Sequence, residues 1–160
     1  MERFDLIIDY SEIEDKKKIF ENKETVLVGG CFDIFHYGHL SFLKEAAKKG
    51  DFLIVVLESD EFIQKLKHRL PFHNQRQRAE ILYSLKVVNM VIQLPYFEDG
   101  KEYFNLVNKI KPKIIAVTKN DPMIKNKQMQ IDQVGGKLEV VIENLSKFSS
   151  KKIYETFFSD

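Results

Sequence analysis

The chain has 160 residues and a net charge of +1, from 25 Lys and Arg against 24 Asp and Glu. That length suits one domain, and the neutral balance gives no support to bulk nucleic-acid binding, which draws on a strong basic excess. With 44% hydrophobic and 31% charged residues the chain reads as globular, neither disordered nor embedded in a membrane. One cysteine, Cys31, leaves no internal disulfide framework and suits a reducing compartment. The start, Met1-Glu2-Arg3-Phe4-Asp5, places charges where a signal peptide needs an apolar run. No apolar stretch reaches the ~18 residues of a membrane span, so a cytoplasmic protein is expected.

Taken in order, residues 10–22 read as a helix in an N-terminal extension (1–24), with Ser11 as cap and Glu14 at the box position. Residues 25–160 then read as the main domain, with no linker dividing the chain. Thr25-Val26-Leu27-Val28 is the first apolar run. A helix over 38–48, with Leu40, Leu43, Ala46 and Ala47 on one face, is stopped by Gly50-Asp51. Phe52–Leu57 is the second run. Residues 75–85 are helical, with Ala79, Ile81, Leu82 and Leu85 inward and the arginines outward. Val87–Ile92 is the third run, 100–110 a further helix, Lys113–Val117 the fourth run, Leu138–Ile142 the fifth, and 149–158 the last helix. Runs this continuous suit strands covered on both faces. The alternation predicts an α/β domain with a five-stranded parallel sheet and helices on both faces.

In such a sheet ligands bind beyond the carboxyl ends of the strands, near the switch in strand order. The first predicted strand ends in Gly29-Gly30-Cys31-Phe32-Asp33-Ile34-Phe35-His36-Tyr37-Gly38-His39. Glycines there let backbone approach a phosphate, and the helix that follows offers free N–H groups to an anion. His36 and His39 are three apart, so both share one face of the first turn, and Gly38 removes a side chain that would obstruct them. Neither G-x-x-x-x-G-K-S/T nor G-x-G-x-x-G is present, which argues against a P-loop NTPase and a dinucleotide dehydrogenase. A zinc site built from Cys31, Asp33, His36 and His39 is disfavoured, because His68 and His73 lie in another segment and no second cysteine exists.

Gly30-Cys31-Phe32-Asp33-Ile34-Phe35-His36-Tyr37-Gly38-His39 resembles the G-x-F-D-x-x-H-x-G-H signature of the cytidylyltransferase-like nucleotidyltransferases, among them glycerol-3-phosphate cytidylyltransferase, archaeal FAD synthase and the ADP-heptose adenylyltransferase. Further matches follow in order. Glu58-Ser59-Asp60 resembles the family's N-S-D or S-T-D. Lys65-Leu66-Lys67, Pro71 and Arg76–Leu82 resemble its K-x-K, P and R-x-x-x-L segment. Phe148–Ile153 resembles its closing I-S-T-T-x-I. The resemblance spans residues 25 to 155 and implies a Rossmann-like fold. It also implies transfer of a nucleoside monophosphate from an NTP to a phosphorylated small molecule, with release of pyrophosphate.

The resemblance assigns roles residue by residue. His36, His39 and Lys67 would be catalytic, the histidines donating N–H groups to the triphosphate with either one open to protonation. Gly30, Cys31, Phe32, Ser149 and Ser150 would hold the nucleotide. Asp33, Lys65 and Arg78 would serve the acceptor side, Asp33 either lining that site or bracing its loop. Mg²⁺ would be held mainly by the phosphates, and a homodimer is plausible. Three departures stand out. Thr118-Lys119-Asn120-Asp121 replaces G-D-D, Asn89 replaces an Asp, and Asn144–Lys147 lacks the arginine of the cytidylyltransferases. The last, with Cys31 and the N-terminal helix, favours ATP over CTP. A cytidylyltransferase for glycerol phosphate or a related alcohol phosphate, and a nucleotide-binding module with weak or no catalysis, are the alternatives. The acceptor candidates run from a heptose-type sugar phosphate through glycerol 3-phosphate to FMN, to be read by the segments 95–99 and 119–127, where Lys119, Lys125 and Lys127 form a basic cluster.

Overall fold

The structure is a computed structural model that describes residues 6–143 and 149–158. The chain opens with β1 (Ile7–Asp9), followed by a short helix α1 (Ile13–Lys16) between 3-10 turns at Tyr10–Glu12 and Lys17–Ile19. There follow β2 (Thr25–Gly30), α2 (Tyr37–Ala47), β3 (Phe52–Leu57), α3 (Asp60–Lys67) and α4 (Gln75–Tyr83). The second half holds β4 (Met90–Gln93), α5 (Gly100–Ile110), β5 (Ile114–Thr118), α6 (Ile124–Asp132), β6 (Lys137–Ile142) and α7 (Ser150–Phe158). The strands form one sheet in the order β1-β4-β3-β2-β5-β6, every pair parallel.

The sheet therefore has six strands and not five. The additional one, β1, adds to the edge by pairing Ile7 with Val91 and Asp9 with Gln93. Three residues are too few to show a periodic pattern, and only the groove offered by β4 makes a strand of them. The N-terminal segment is thus tied into the sheet. Its helix is also broken into short turns, and its start is set by the Glu12 carboxylate, which accepts the Asp9 N–H at 2.7 Å, in place of the Ser11 and Glu14 pair.

Alternation along the strands sorts the core into two layers. Val26, Val28, Leu53, Val55 and Val91 meet Phe42, Leu43 and Ala46 of α2 and Ala79 and Leu82 of α4. Leu27, Ile54, Val56, Ile92 and Ile115 meet Ile13 of α1, Leu106, Val107 and Ile110 of α5, and Ile131 of α6. Each of the larger side chains among these, fully buried, contributes roughly 1.5–3 kcal/mol. This is the predicted α/β arrangement, with helices on both faces of a parallel sheet. The last strand departs from expectation. It lies at an edge, and Val140 is 49% exposed. Two helices, α3 and α6, are additional to those expected, and α6 makes residues 124–127 of the supposed loop 119–127 helical.

The turn between α2 and β3 rests directly on the start of β2. Asp51 N–H donates to the Glu24 carbonyl, and a Cβ at Gly50 would collide with that same oxygen. The chain then runs from β2 to β3 and β4 on one side, and returns through α5 to β5 and β6 on the other. The reversal lies between β2 and β5. The backbone diverges there and leaves a crevice beyond the carboxyl ends of both strands.

Candidate active site

A cavity of about 180 Å³ occupies that crevice, lined by Gly29, Gly30, Cys31, Phe32, Asp33, His39, Phe42, Lys67, Thr118 and Asp121. The loop after β2 is held in an uncommon conformation, with Phe32 at φ 47° and Ile34 at φ 50°, both left-handed without being glycine. Such backbone persists only where its surroundings over-determine it, and it concentrates at functional loops. Asp33 supplies part of that constraint. Its buried carboxylate accepts from Arg69 Nη1 and from the Phe72 and His73 N–H groups. Of the two roles left open for Asp33, its contacts are those of a brace that fastens segment 69–73 over the site. The Arg69 guanidinium also faces the Tyr154 ring of α7 at 5.2 Å, joining the last helix to this loop.

The two histidines open α2. His36 is its N-cap, and its Nδ1 accepts the Gly38 N–H at 3.1 Å. A neutral His36 therefore carries its proton on Nε2, as an N–H donor pointing away from the helix. The His39 ring stacks on His36 at 3.8 Å and lies between Phe32 and Phe35 at 5.2 and 5.4 Å. Burial lowers the His36 pKa. Burial, then the His36 and Lys67 charges, push His39 down to about 3. In the ligand-free protein both imidazoles are therefore neutral near pH 7, which corrects the expectation that either is readily protonated.

His39 has a folded pKa below its unfolded one, so between about 3 and 6.5 the unfolded chain binds the extra proton. Its contribution to stability is present above pH 6.5 and is lost as pH falls. The expected result is that His39→Asn, compared with wild type by urea unfolding at pH 7 and pH 5, loses about 1–2 kcal/mol less on acidification. An equal loss in both proteins would contradict it.

Arg78 is not on the outward face of its helix. It is 1% exposed, and Arg76 is the outward one, paired with Glu80. The buried guanidinium donates to the carbonyls of Cys31 (2.6 Å), Glu58 (3.0 Å) and His73 (3.1 Å) and to the Asp60 carboxylate (2.6 Å). It ties together the ends of β2 and β3 and the loop before α4. Four of its five N–H groups are held by the protein, so it braces the loops around the cavity. Gln75 adds a second tie, donating to the Leu57 and Leu94 carbonyls at the ends of β3 and β4.

The paired lysines part company. Lys67 reaches the cavity beside the Cys31 thiol, whose pKa is raised by burial despite the Lys67 charge. Lys65 lies elsewhere, with Glu61 at 2.8 Å and the Tyr96 ring at 4.1 Å. Ser149 caps α7, its Oγ accepting the Lys152 N–H at 3.0 Å, and Ser150 is the first residue of that helix. Ser149 is not among the residues lining the cavity. Asn144–Lys147 lies outside the described residues. Of the basic cluster, Lys127 pairs with Asp121 at 2.6 Å and Lys119 with Glu143 at 3.3 Å. Asn89, the other departure, has a structural duty: its Oδ1 accepts the Leu53 N–H at 2.7 Å at the start of β3.

Among the described residues no group of three or more His, Cys, Asp or Glu converges on a metal position, and no helix is long and apolar enough to cross a membrane. The carboxylates lining the cavity are engaged by protein donors, Asp33 as above and Asp121 by Lys127 and the Met123 N–H. Thr118 and Asp121, noted in the sequence only as a departure from the family's acidic motif, line the cavity because the end of β5 brings them opposite Gly29 and Gly30.

Residues 27–159 match the Cytidylyltransferase-like family. FAD synthase of Pyrococcus abyssi is 37% identical over 117 residues, covering 72% of this chain and 77% of that protein. The Bifunctional protein HldE of Aliarcobacter butzleri is 40% identical over 110 residues, covering 67% of this chain and 22% of that protein. The crystal structure of the lipopolysaccharide core biosynthesis protein from Thermoplasma volcanium superposes with a TM-score of 0.61 at 28% identity, over 76% of this chain and 96% of that one. The chain belongs to the cytidylyltransferase-like family of nucleotidyltransferases.

Proposed function

We propose that the protein transfers a nucleoside monophosphate, with ATP preferred over CTP as donor, to the phosphate of a small acceptor, releasing pyrophosphate. The observation that carries this reading is the cavity beyond β2, where the strained loop Gly29–Asp33, His39 and Lys67 converge at the strand-order switch. The acceptor is a flavin phosphate or a sugar phosphate. The first is supported by the FAD synthase match over most of that protein's length, the second by the HldE match over about a fifth of it.

An acceptor phosphate oxygen is already anionic at neutral pH, so no protein base is required. It attacks the α-phosphorus, the bond from that phosphorus to the bridging oxygen breaks, and pyrophosphate leaves. Catalysis is then positioning and electrostatic stabilisation. His36 Nε2–H and the imidazole of His39 donate to the α-phosphate region, Lys67 supplies a positive charge, and the backbone at Gly30, Cys31 and Phe32 holds the phosphates. Ser149 and Ser150, at the start of α7, reach the outer phosphates when the nucleotide is bound. With the cavity carboxylates engaged, Mg²⁺ would be held mainly by the phosphates and would supply neutralisation of their charge. A cytoplasmic homodimer belongs to this reading, and sedimentation tests the oligomeric state.

Incubation of each NTP with FMN, sugar phosphates and glycerol 3-phosphate, read as pyrophosphate release, tests the reading. ATP with one of the first two classes is expected to give the highest rate. Tight nucleotide binding with no release for any acceptor would favour a binding module.

A further inference from the structure

Behind the wall of the cavity lies a carboxyl group that the chemistry above does not use. Glu58 follows β3 directly. Its N–H donates to the Gly30 carbonyl, and its own carbonyl shares the Arg78 Nη1 group with that of Cys31. It is thus locked to the loop expected to hold the triphosphate. Its side chain is turned inward, and the residue is 8% exposed. Oε1 accepts the Tyr103 hydroxyl at 2.9 Å, while Oε2 is buried without a hydrogen-bond partner among the described residues. A buried carboxylate oxygen with no donor is costly as an anion and is relieved by a proton.

The charged and titratable groups facing it come from every neighbouring element. Tyr103 of α5 donates to it, and Lys127 of α6 and Arg78 of α4 favour its ionised form. The Cys31 thiol lies on the loop after β2. Burial outweighs them and raises Glu58 to about 7. Ionisation thus straddles neutral pH in the ligand-free protein, and a further negative charge nearby decides it.

Resting on the nucleotide site proposed above, we propose that occupation of the cavity by a nucleoside triphosphate is coupled to uptake of one proton by the Glu58 carboxyl. With its Mg²⁺ the triphosphate brings about two net negative charges to the loop that Glu58 is locked to, and that charge disfavours the anion. The proton comes from solvent and goes to Oε2. No other bond is made or broken. By linkage the same group makes triphosphate affinity fall as pH rises through neutrality.

The test is calorimetric binding of the non-hydrolysable α,β-methylene ATP with Mg²⁺, in buffers of different ionisation enthalpy, between pH 6.5 and 8.5. Wild type is expected to take up roughly 0.3–0.8 proton more than Glu58→Gln near pH 7.5. Its affinity is also expected to fall roughly three- to fivefold more than that of the variant from pH 7 to 8. Protons taken up by the ligand or by His36 and His39 are common to both proteins and cancel. Tyr103→Phe removes a hydrogen bond that favours the ionised form, so its uptake maximum shifts to higher pH, a readout that stands if Glu58→Gln folds poorly. Nucleotide binding with equal proton uptake in wild type and Glu58→Gln, or with no shift in Tyr103→Phe, overturns the coupling alone. Absence of nucleotide binding to wild type overturns the nucleotide site and the coupling with it.

Discussion

Replacing His36 with asparagine is expected to lower kcat by about 10²–10³-fold while leaving the fold intact. The argument rests on the division of labour between the two ring nitrogens. Nδ1 is committed to the N-cap of α2, accepting the Gly38 N–H. Asparagine can cap in its place, so the variant keeps the cap while removing the outward Nε2–H and the ring stacked on His39. His36→Ala removes the cap as well. It is expected to lose the same turnover and a further ~1 kcal/mol of stability from the lost cap. Pyrophosphate-release kinetics and urea unfolding of the two variants separate the roles. Full turnover in His36→Asn would remove His36 from the chemistry. His39→Asn is expected to fall by a similar factor.

The second large effect belongs to Arg78. Its guanidinium satisfies three backbone carbonyls and the Asp60 carboxylate while itself being 1% exposed. Arg78→Met keeps much of the side-chain volume but leaves those acceptors without their donor. Breaking a buried charged network by removing one partner costs about 3–5 kcal/mol. Much of that loss falls on the loop over the cavity, because Cys31 and His73 are both held by this residue. The variant is expected to melt well below wild type, and whatever remains folded should bind nucleotide weakly. Arg78→Lys, which keeps charge without the fork of donors, should fall between the two. A melting temperature unchanged in Arg78→Met would contradict the assigned role.

The same residue shows where sequence reasoning reaches its limit. An arginine in an amphipathic helix reads as solvent-facing, and only the meeting of the ends of β2 and β3 supplies the carbonyls that draw it inward. Glu58 and Tyr103 are a similar case, 45 residues apart and joined only by the fold. The strands Phe52–Leu57 and Ile114–Thr118 were legible because a strand buried on both faces must be apolar throughout. The strand β1 was not, since three residues carry no period. Helix α6, Ile-Lys-Asn-Lys-Gln-Met-Gln-Ile-Asp, buries only Gln130 and Ile131 and so shows little amphipathic signal. The cavity loop was the most legible part, because Gly29-Gly30 and two histidines at the start of a helix make a dense local pattern that resembles a family signature, whereas the left-handed Phe32 and Ile34 leave no mark in the sequence. Of the two lysines named from that pattern, geometry brings Lys67 to the cavity and turns Lys65 toward Glu61 and Tyr96.

The central claim is attack at the α-phosphorus by a phosphate oxygen, and isotope placement tests it most directly. With ATP labelled at the α-phosphate and, separately, at the γ-phosphate, and with the best acceptor present, the α label is expected in the nucleotide conjugate and the γ label in pyrophosphate, in equal amounts. Recovery of the γ label on the acceptor, or of both labels in ADP and inorganic phosphate, would contradict the account.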